Sequence, residues 1–153
     1  MSTLQEGSKA PEFTAKDQNG NTITLDQFKG KKVVLYFYPK DDTPGCTAEA
    51  CDFRDNYQGL QAKGIEVLGV SVDDEKSHQK FITKHNLPFT LLADTDKAIV
   101  EAYGVWGEKN MYGKKYMGTN RATFVIDEEG NIAHIIKKVD TKNSTAQVLE
   151  LLK

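Results

Sequence analysis

The sequence predicts an α/β layered domain: a central mixed β-sheet with helices on both faces, plus an N-terminal β-hairpin. Three observations carry that expectation. Residues 33–38 and 65–72 are short apolar runs rich in Val, Ile, Leu and aromatic residues, without the alternation of a half-exposed strand, so both faces of these strands need cover. Helical patterns alternate with such strands along the chain. Near the start, Asn19-Gly20 separates two short extended segments as a hairpin turn would.

The elements follow in order. Phe13-Thr14-Ala15 and Thr22-Ile23-Thr24-Leu25 form the hairpin arms, and residues 25–28 make a single helical turn that Gly30 ends. The strand over residues 33–38 stops at Pro39. A helix then opens with Thr43 as N-cap and Pro44 at the first helical position, and Gly64 stops it. After the strand at 65–72, Asp73-Asp74 leads into a helix with His78, Phe81, Ile82 and His85 on one side. Pro88 precedes a strand over 89–92, and Asp94-Thr95-Asp96 caps a short helix over 97–103. Residues 105–120, rich in Gly, Lys and Tyr and lacking apolar periodicity, read as a long loop, which in a compact domain is functional or mobile. Strands over 121–126 and 132–139 join through residues 127–130. Ser144 with Gln147 reads as a capping box for a last helix bearing Val148, Leu151 and Leu152.

The 153 residues suit one domain, 1–153, and a formal net charge of −2 with interleaved signs points to neither nucleic acid nor an acidic membrane surface. No run approaches a membrane span, and the first residues lack the apolar core of a signal peptide, so the expected location is cytoplasmic. There, two cysteines more often mean reactive or metal-binding thiols than a structural bridge. Two cysteines without a nearby histidine make a poor zinc site, so neither metal nor cofactor is expected. Of the 20 basic residues 18 are lysine; the two arginines, Arg54 and Arg121, invite the question of whether a planar fork of donors is needed.

The chemistry centres on Thr43-Pro44-Gly45-Cys46-Thr47-Ala48-Glu49-Ala50-Cys51. Cys46 falls in the first turn of its helix, beside unpaired N–H groups and the positive end of the dipole, a setting that favours the nucleophilic thiolate. Cys46, Ala50, Phe53, Tyr57 and Leu60 share the stripe that packs on the sheet, whereas Cys51 lies with Thr47, Arg54 and Gln58 on a polar stripe. Five residues of α-helix separate the two Cα atoms by roughly 8.6 Å, and a disulfide rarely spans more than about 7 Å. If these sulfurs react with each other, the first turns must unwind. Glu49, in the same first turn, suits either an anchor for an arginine or a helix-start carboxylate favoured by the dipole.

The pattern Pro39-x-x-x-Thr43-x-x-Cys46, together with Arg121, resembles the active-site signature of the peroxiredoxins, thioredoxin-fold peroxidases. Cys51, five residues on, and the segment from Val105 to Lys114 followed by Arg121-x-Thr123-Phe124 are similar to the bacterioferritin comigratory protein, or peroxiredoxin Q, subfamily. The likeness covers essentially the whole chain. It implies that Cys46 attacks the terminal peroxide oxygen and becomes a sulfenic acid, and that Cys51 then resolves it as an intramolecular disulfide. Thioredoxin, or glutaredoxin, would reduce that bond. It further implies that Thr43, the Cys46 N–H and Arg121 hold the peroxide, that Pro39 shapes the pocket, and that the molecule is a monomer or weak dimer in antioxidant defence and redox homeostasis.

Plainer readings stand beside these. Cys46 suits a packed hydrophobe, Cys51 filler, and Arg54 a surface ion pair. His78 and His85 suit packed or edge positions, and His134 lies within a strand. Trp106, Met111, Tyr112 and Tyr116 suit a substrate or reductant surface, or a loop over the core. Two rival functions remain: a protein disulfide reductase, which prefers Cys-x-x-Cys, and a non-enzymatic binding or holdase module on the same fold.

Overall fold

The computed structural model describes residues 4–152. Seven strands form one mixed sheet: β1 (Thr14–Asp17), β2 (Thr22–Thr24), β3 (Lys32–Phe37), β4 (Ile65–Ser71), β5 (Thr90–Ala93), β8 (Ala122–Ile126) and β9 (Ile132–Ile136), in the order β2-β1-β5-β4-β3-β8-β9. β3, β4 and β5 run parallel, while β1, β8 and β9 add antiparallel. The N-terminal hairpin is part of the central sheet, since β1 pairs with β5. Four helices complete the frame: α1 (Pro44–Ala62), α2 (Glu75–His85), α3 (Ala98–Ala102) and α4 (Ser144–Leu151).

β3 shows why both faces are covered. Leu35 and Phe37 point into one core with Leu68, Tyr103 and Phe124, closed by α3. Val34, Tyr36 and Tyr38 point the other way, into a core shared with Phe53 of α1, Phe81 of α2 and Val148 of α4. A strand buried on both sides has no polar face to alternate with.

Residues 105–120 depart from the expected loop. They fold into a two-stranded hairpin, β6 (Trp106–Met111) and β7 (Lys114–Thr119), turned at Tyr112-Gly113, where both residues have positive φ (54° and 79°). β7 is almost wholly exposed, so no apolar face imposes alternation; the Xaa-Gly turn was the available signal. Trp106 packs against the core while Tyr112 and Tyr116 stand in solvent; the Met111 side chain lies outside what is described. The final strand ends at Ile136, three residues early. The capping box also differs: Asn143 holds the N-cap position of α4, and Ser144 begins the helix. Its hydroxyl lies near Glu49 and Asp140, while Gln147 accepts from the Asp140 N–H.

Candidate active site

β3 delivers the chain to Tyr38, whose N–H still bonds the Val70 carbonyl (3.1 Å), and half-buried Pro39 turns it off the sheet. The following loop is tied to α2 from beneath. The buried Asp41 carboxylate accepts from the Tyr38 hydroxyl (2.5 Å), the Ser77 hydroxyl (2.8 Å) and His78 Nδ1 (2.7 Å). His78 Nε2 faces the Leu92 carbonyl at 2.9 Å. Both ring nitrogens thus meet acceptors, which suits the doubly protonated ring. Burial alone would lower the His78 pKa; the hydrogen bond and charge of Asp41, with the Leu92 carbonyl, outweigh it and raise the pKa above 6.5. Asp42, in a left-handed conformation, is held by Lys84 (2.8 Å) and His85 (3.3 Å).

α1 starts from this fixed loop. Thr43 is its N-cap by backbone geometry, with Thr47 N–H donating to its carbonyl (2.8 Å), but its side chain does not cap. The hydroxyl donates instead to the Lys40 carbonyl (2.9 Å), so the first-turn N–H groups, including that of Cys46, keep no side-chain cap from Thr43. Cys46 is buried against Tyr36, Tyr38, Ala50 and Phe53. Its Sγ accepts from Arg121 Nη2 at 3.2 Å, and Arg121 Nη1 donates to Glu49 Oε1 at 2.8 Å. A single guanidinium therefore bridges the thiol and a fully buried carboxylate. Burial pushes the Glu49 carboxyl up, to about 7, against the pull of Arg121 and Ser144. Burial would also lower the Arg121 pKa, but Cys46 and Glu49 raise it.

Arg121, Glu49 and Cys46 come together; Pro39 and Thr43 occupy the loop and helix start beside them. Glu49 pairs with Arg121 Nη1 and lies beyond the first turn of α1, which holds no acidic residue, so the expected first-turn placement is corrected. Cys51 sits apart, half-buried in an unbroken helix, and both thiols are free. Arg54 pairs with Asp55 (2.9 Å) and also donates to the His85 carbonyl (2.8 Å). Four residues escaped the sequence reading as contributors to the site. A Cβ at Gly45 would stand 3.2 Å from Arg121 Nη2, so the glycine makes room for the guanidinium. Ser144 lies 3.2 Å from Glu49. His78 and Asp41 hold the loop, and only the Asp-rich, His-bearing start of α2 hinted at it. Among the described residues no group of three or more His, Cys, Asp or Glu side chains is placed to hold a metal, and no helix is long and apolar enough to cross a membrane.

A thiol that opens a helix at the end of a central strand, answered by a guanidinium instead of a second cysteine in its own turn, defines a thiol oxidoreductase on a thioredoxin-type sheet. Residues 7–135 match the model of the AhpC/TSA family. The chain is 53% identical over 147 residues to a putative peroxiredoxin Bcp of Coxiella burnetii, covering 96% of this chain and 97% of the relative. It is 48% identical over 151 residues to peroxiredoxin Bcp of Bacillus subtilis, with coverages of 99% and 96%. Among solved structures, the bacterioferritin comigratory protein of Xanthomonas campestris, studied for alkyl peroxide reduction, superposes with a TM-score of 0.90 at 36% identity, covering 99% and 96% of the two chains. A cysteine-to-serine mutant of Xylella fastidiosa PrxQ gives 0.93 at 31% identity, covering 99% and 97%. The chain belongs to the AhpC/TSA family and is a peroxiredoxin of the Bcp/PrxQ group, a thiol peroxidase.

Proposed function

We propose that Cys46 is the peroxidatic thiol and Cys51 the resolving one, in a cycle that reduces hydrogen peroxide and organic hydroperoxides. The Cys46 thiolate attacks the terminal peroxide oxygen; an S–O bond forms, the O–O bond breaks, and the second oxygen leaves as hydroxide or alkoxide, to be protonated. That displacement needs donors which align the O–O bond and receive the charge of the leaving oxygen. Arg121, the Cys46 N–H and the Thr43 hydroxyl fill these roles, the last after turning from Lys40. Glu49 fixes the guanidinium, and Pro39 shapes and shields the pocket.

The sulfenic acid then condenses with the Cys51 thiol: an S–S bond forms and water leaves. The intact α1 holds these residues too far apart, so its first turns unwind. Thioredoxin, or glutaredoxin, supplies the two electrons that reopen the disulfide. The cycle serves antioxidant defence in the cytoplasm, in a monomer or weak dimer. The 3.2 Å contact between Arg121 Nη2 and Cys46 Sγ, with Glu49 on the other arm of the fork, is the observation that carries this reading.

Peroxide consumption with thioredoxin, thioredoxin reductase and NADPH tests it. Cys46→Ser abolishes turnover; retained activity removes Cys46 from the mechanism. Cys51→Ser gives one turnover and a sulfenic acid that a dimedone-type probe labels, and an unlabelled, fully cycling mutant removes Cys51. Turnover only with glutathione and glutaredoxin assigns the second reductant.

A further inference from the structure

α4 takes its cap from another helix. Asn143, at its N-cap position, makes no side-chain bond to the first turn. Instead Asp52 Oδ2, in α1, accepts from the Thr145 N–H at 2.7 Å, across 93 residues of chain. The Thr145 hydroxyl also reaches the Asp52 carbonyl at 3.4 Å, and Ser144 and Thr145 are both buried. A carboxylate on a helix N-terminus gains from both the hydrogen bond and the dipole. Asp52 directly follows Cys51, only about 3.8 Å away between Cα atoms.

We infer that Asp52 is a positioning residue for the resolving step: its bond to α4 is a latch that must open before Cys51 can travel to Cys46, and it sets how long the sulfenic acid survives. The inference rests on Cys51 being the resolving thiol. Displacing the Cys51 backbone drags Asp52 with it, so a 2.7 Å bond does not outlast the unwinding. The bond stabilises the wound state and is absent from the unwound one, so it slows resolution. The sulfenic acid has a competing fate: it attacks a second peroxide, forming another S–O bond as the O–O bond breaks, and becomes a sulfinic acid with release of water or alcohol. A slower latch therefore means easier overoxidation.

Quenched-flow mass spectrometry of the full chain after one equivalent of hydrogen peroxide separates the two steps. Asp52→Ala forms the sulfenic acid at the wild-type rate but closes the disulfide about tenfold faster, the effect of losing one helix cap. It also needs correspondingly more peroxide to accumulate sulfinic acid. Asp52→Asn keeps an acceptor oxygen without the charge and falls between, which keeps the test available if the alanine variant does not fold. Disulfide closure at or below the wild-type rate in both variants overturns the latch; so does a slowed sulfenic step, which would place Asp52 in the support of the Cys46 pocket. A wild-type protein that forms no Cys46–Cys51 disulfide defeats the resolving role of Cys51 itself, before any variant is compared.

Discussion

Arg121 makes two contacts with one planar group. One arm reaches Sγ of Cys46 and the other the buried carboxylate of Glu49, with Gly45 leaving the space between. A lysine ammonium carries the charge but cannot hold two partners in a fixed plane. Arg121→Lys is expected to slow the second-order peroxide reaction by about a hundredfold, the cost of one misplaced oxyanion donor. Stopped-flow measurement of Cys46 oxidation checks this, and a wild-type rate would remove the fork from the mechanism. Glu49 can accept from Arg121 in either protonation state, and the ionised carboxylate makes the stronger bond because both partners are then charged.

Helix α1 is both the support of the site and, in the proposed cycle, the element that must give way. Of its sheet-facing stripe, Cys46, Ala50, Phe53 and Leu60 are buried and Tyr57 is half-buried with its hydroxyl donating to Glu66, while Cys51 and Arg54 lie at the margin and Gln58 is exposed. The loop ahead of it is anchored by Asp41, His78 and Ser77, so the proposed unwinding would be confined to the turns after Thr43. Oxidation by one equivalent of peroxide is expected to lower amide-exchange protection from Thr43 to Arg54, and at Thr145, whose N–H is bonded to Asp52. Protection in β3 and β4 stays unchanged. Equal protection of α1 in both redox states would contradict the unwinding step.

For folding stability, the buried ionisable groups set a common sense of pH dependence. Glu49 has a folded pKa of about 7 against an ordinary 4.5, and His78 is raised above 6.5. A raised folded pKa means that the native state holds its proton more tightly, so each contribution is complete below the ordinary pKa and lost as pH climbs through the folded one. Both therefore favour the native state at mildly acidic pH. Asp42, Glu128 and Asp140 are lowered, Asp42 chiefly by Lys84, Glu128 by a backbone hydrogen bond and Lys32, and Asp140 chiefly by Asn143; their opposite contribution is lost only in more acidic solution. Urea unfolding of the reduced protein should show stability declining from about pH 5 to pH 8, Glu49 and His78 each contributing no more than about 1.4 kcal/mol per pH unit. Glu49→Gln removes one of the two and flattens the decline; an unchanged slope would mean that Glu49 does not titrate in this range.

Local chemistry was enough for much of this. The strand-loop-helix around Cys46, the packed stripe of α1, the polar placement of Cys51 and the order of the core elements all follow from periodicity and from Pro, Gly and capping residues, because backbone preferences and burial act over a few residues. What short-range patterns do not encode is which distant side chains meet. The β6–β7 hairpin had no buried face to announce it. Ser144 looked like a cap for its own helix yet lies beside Glu49, and His78 looked like packing yet binds Asp41. Arg121 stood out in a lysine-rich chain, but folding was needed to bring it within 3.2 Å of Cys46, 75 residues away. Contacts of that kind depend on sheet order and helix packing, which no window of neighbouring residues contains.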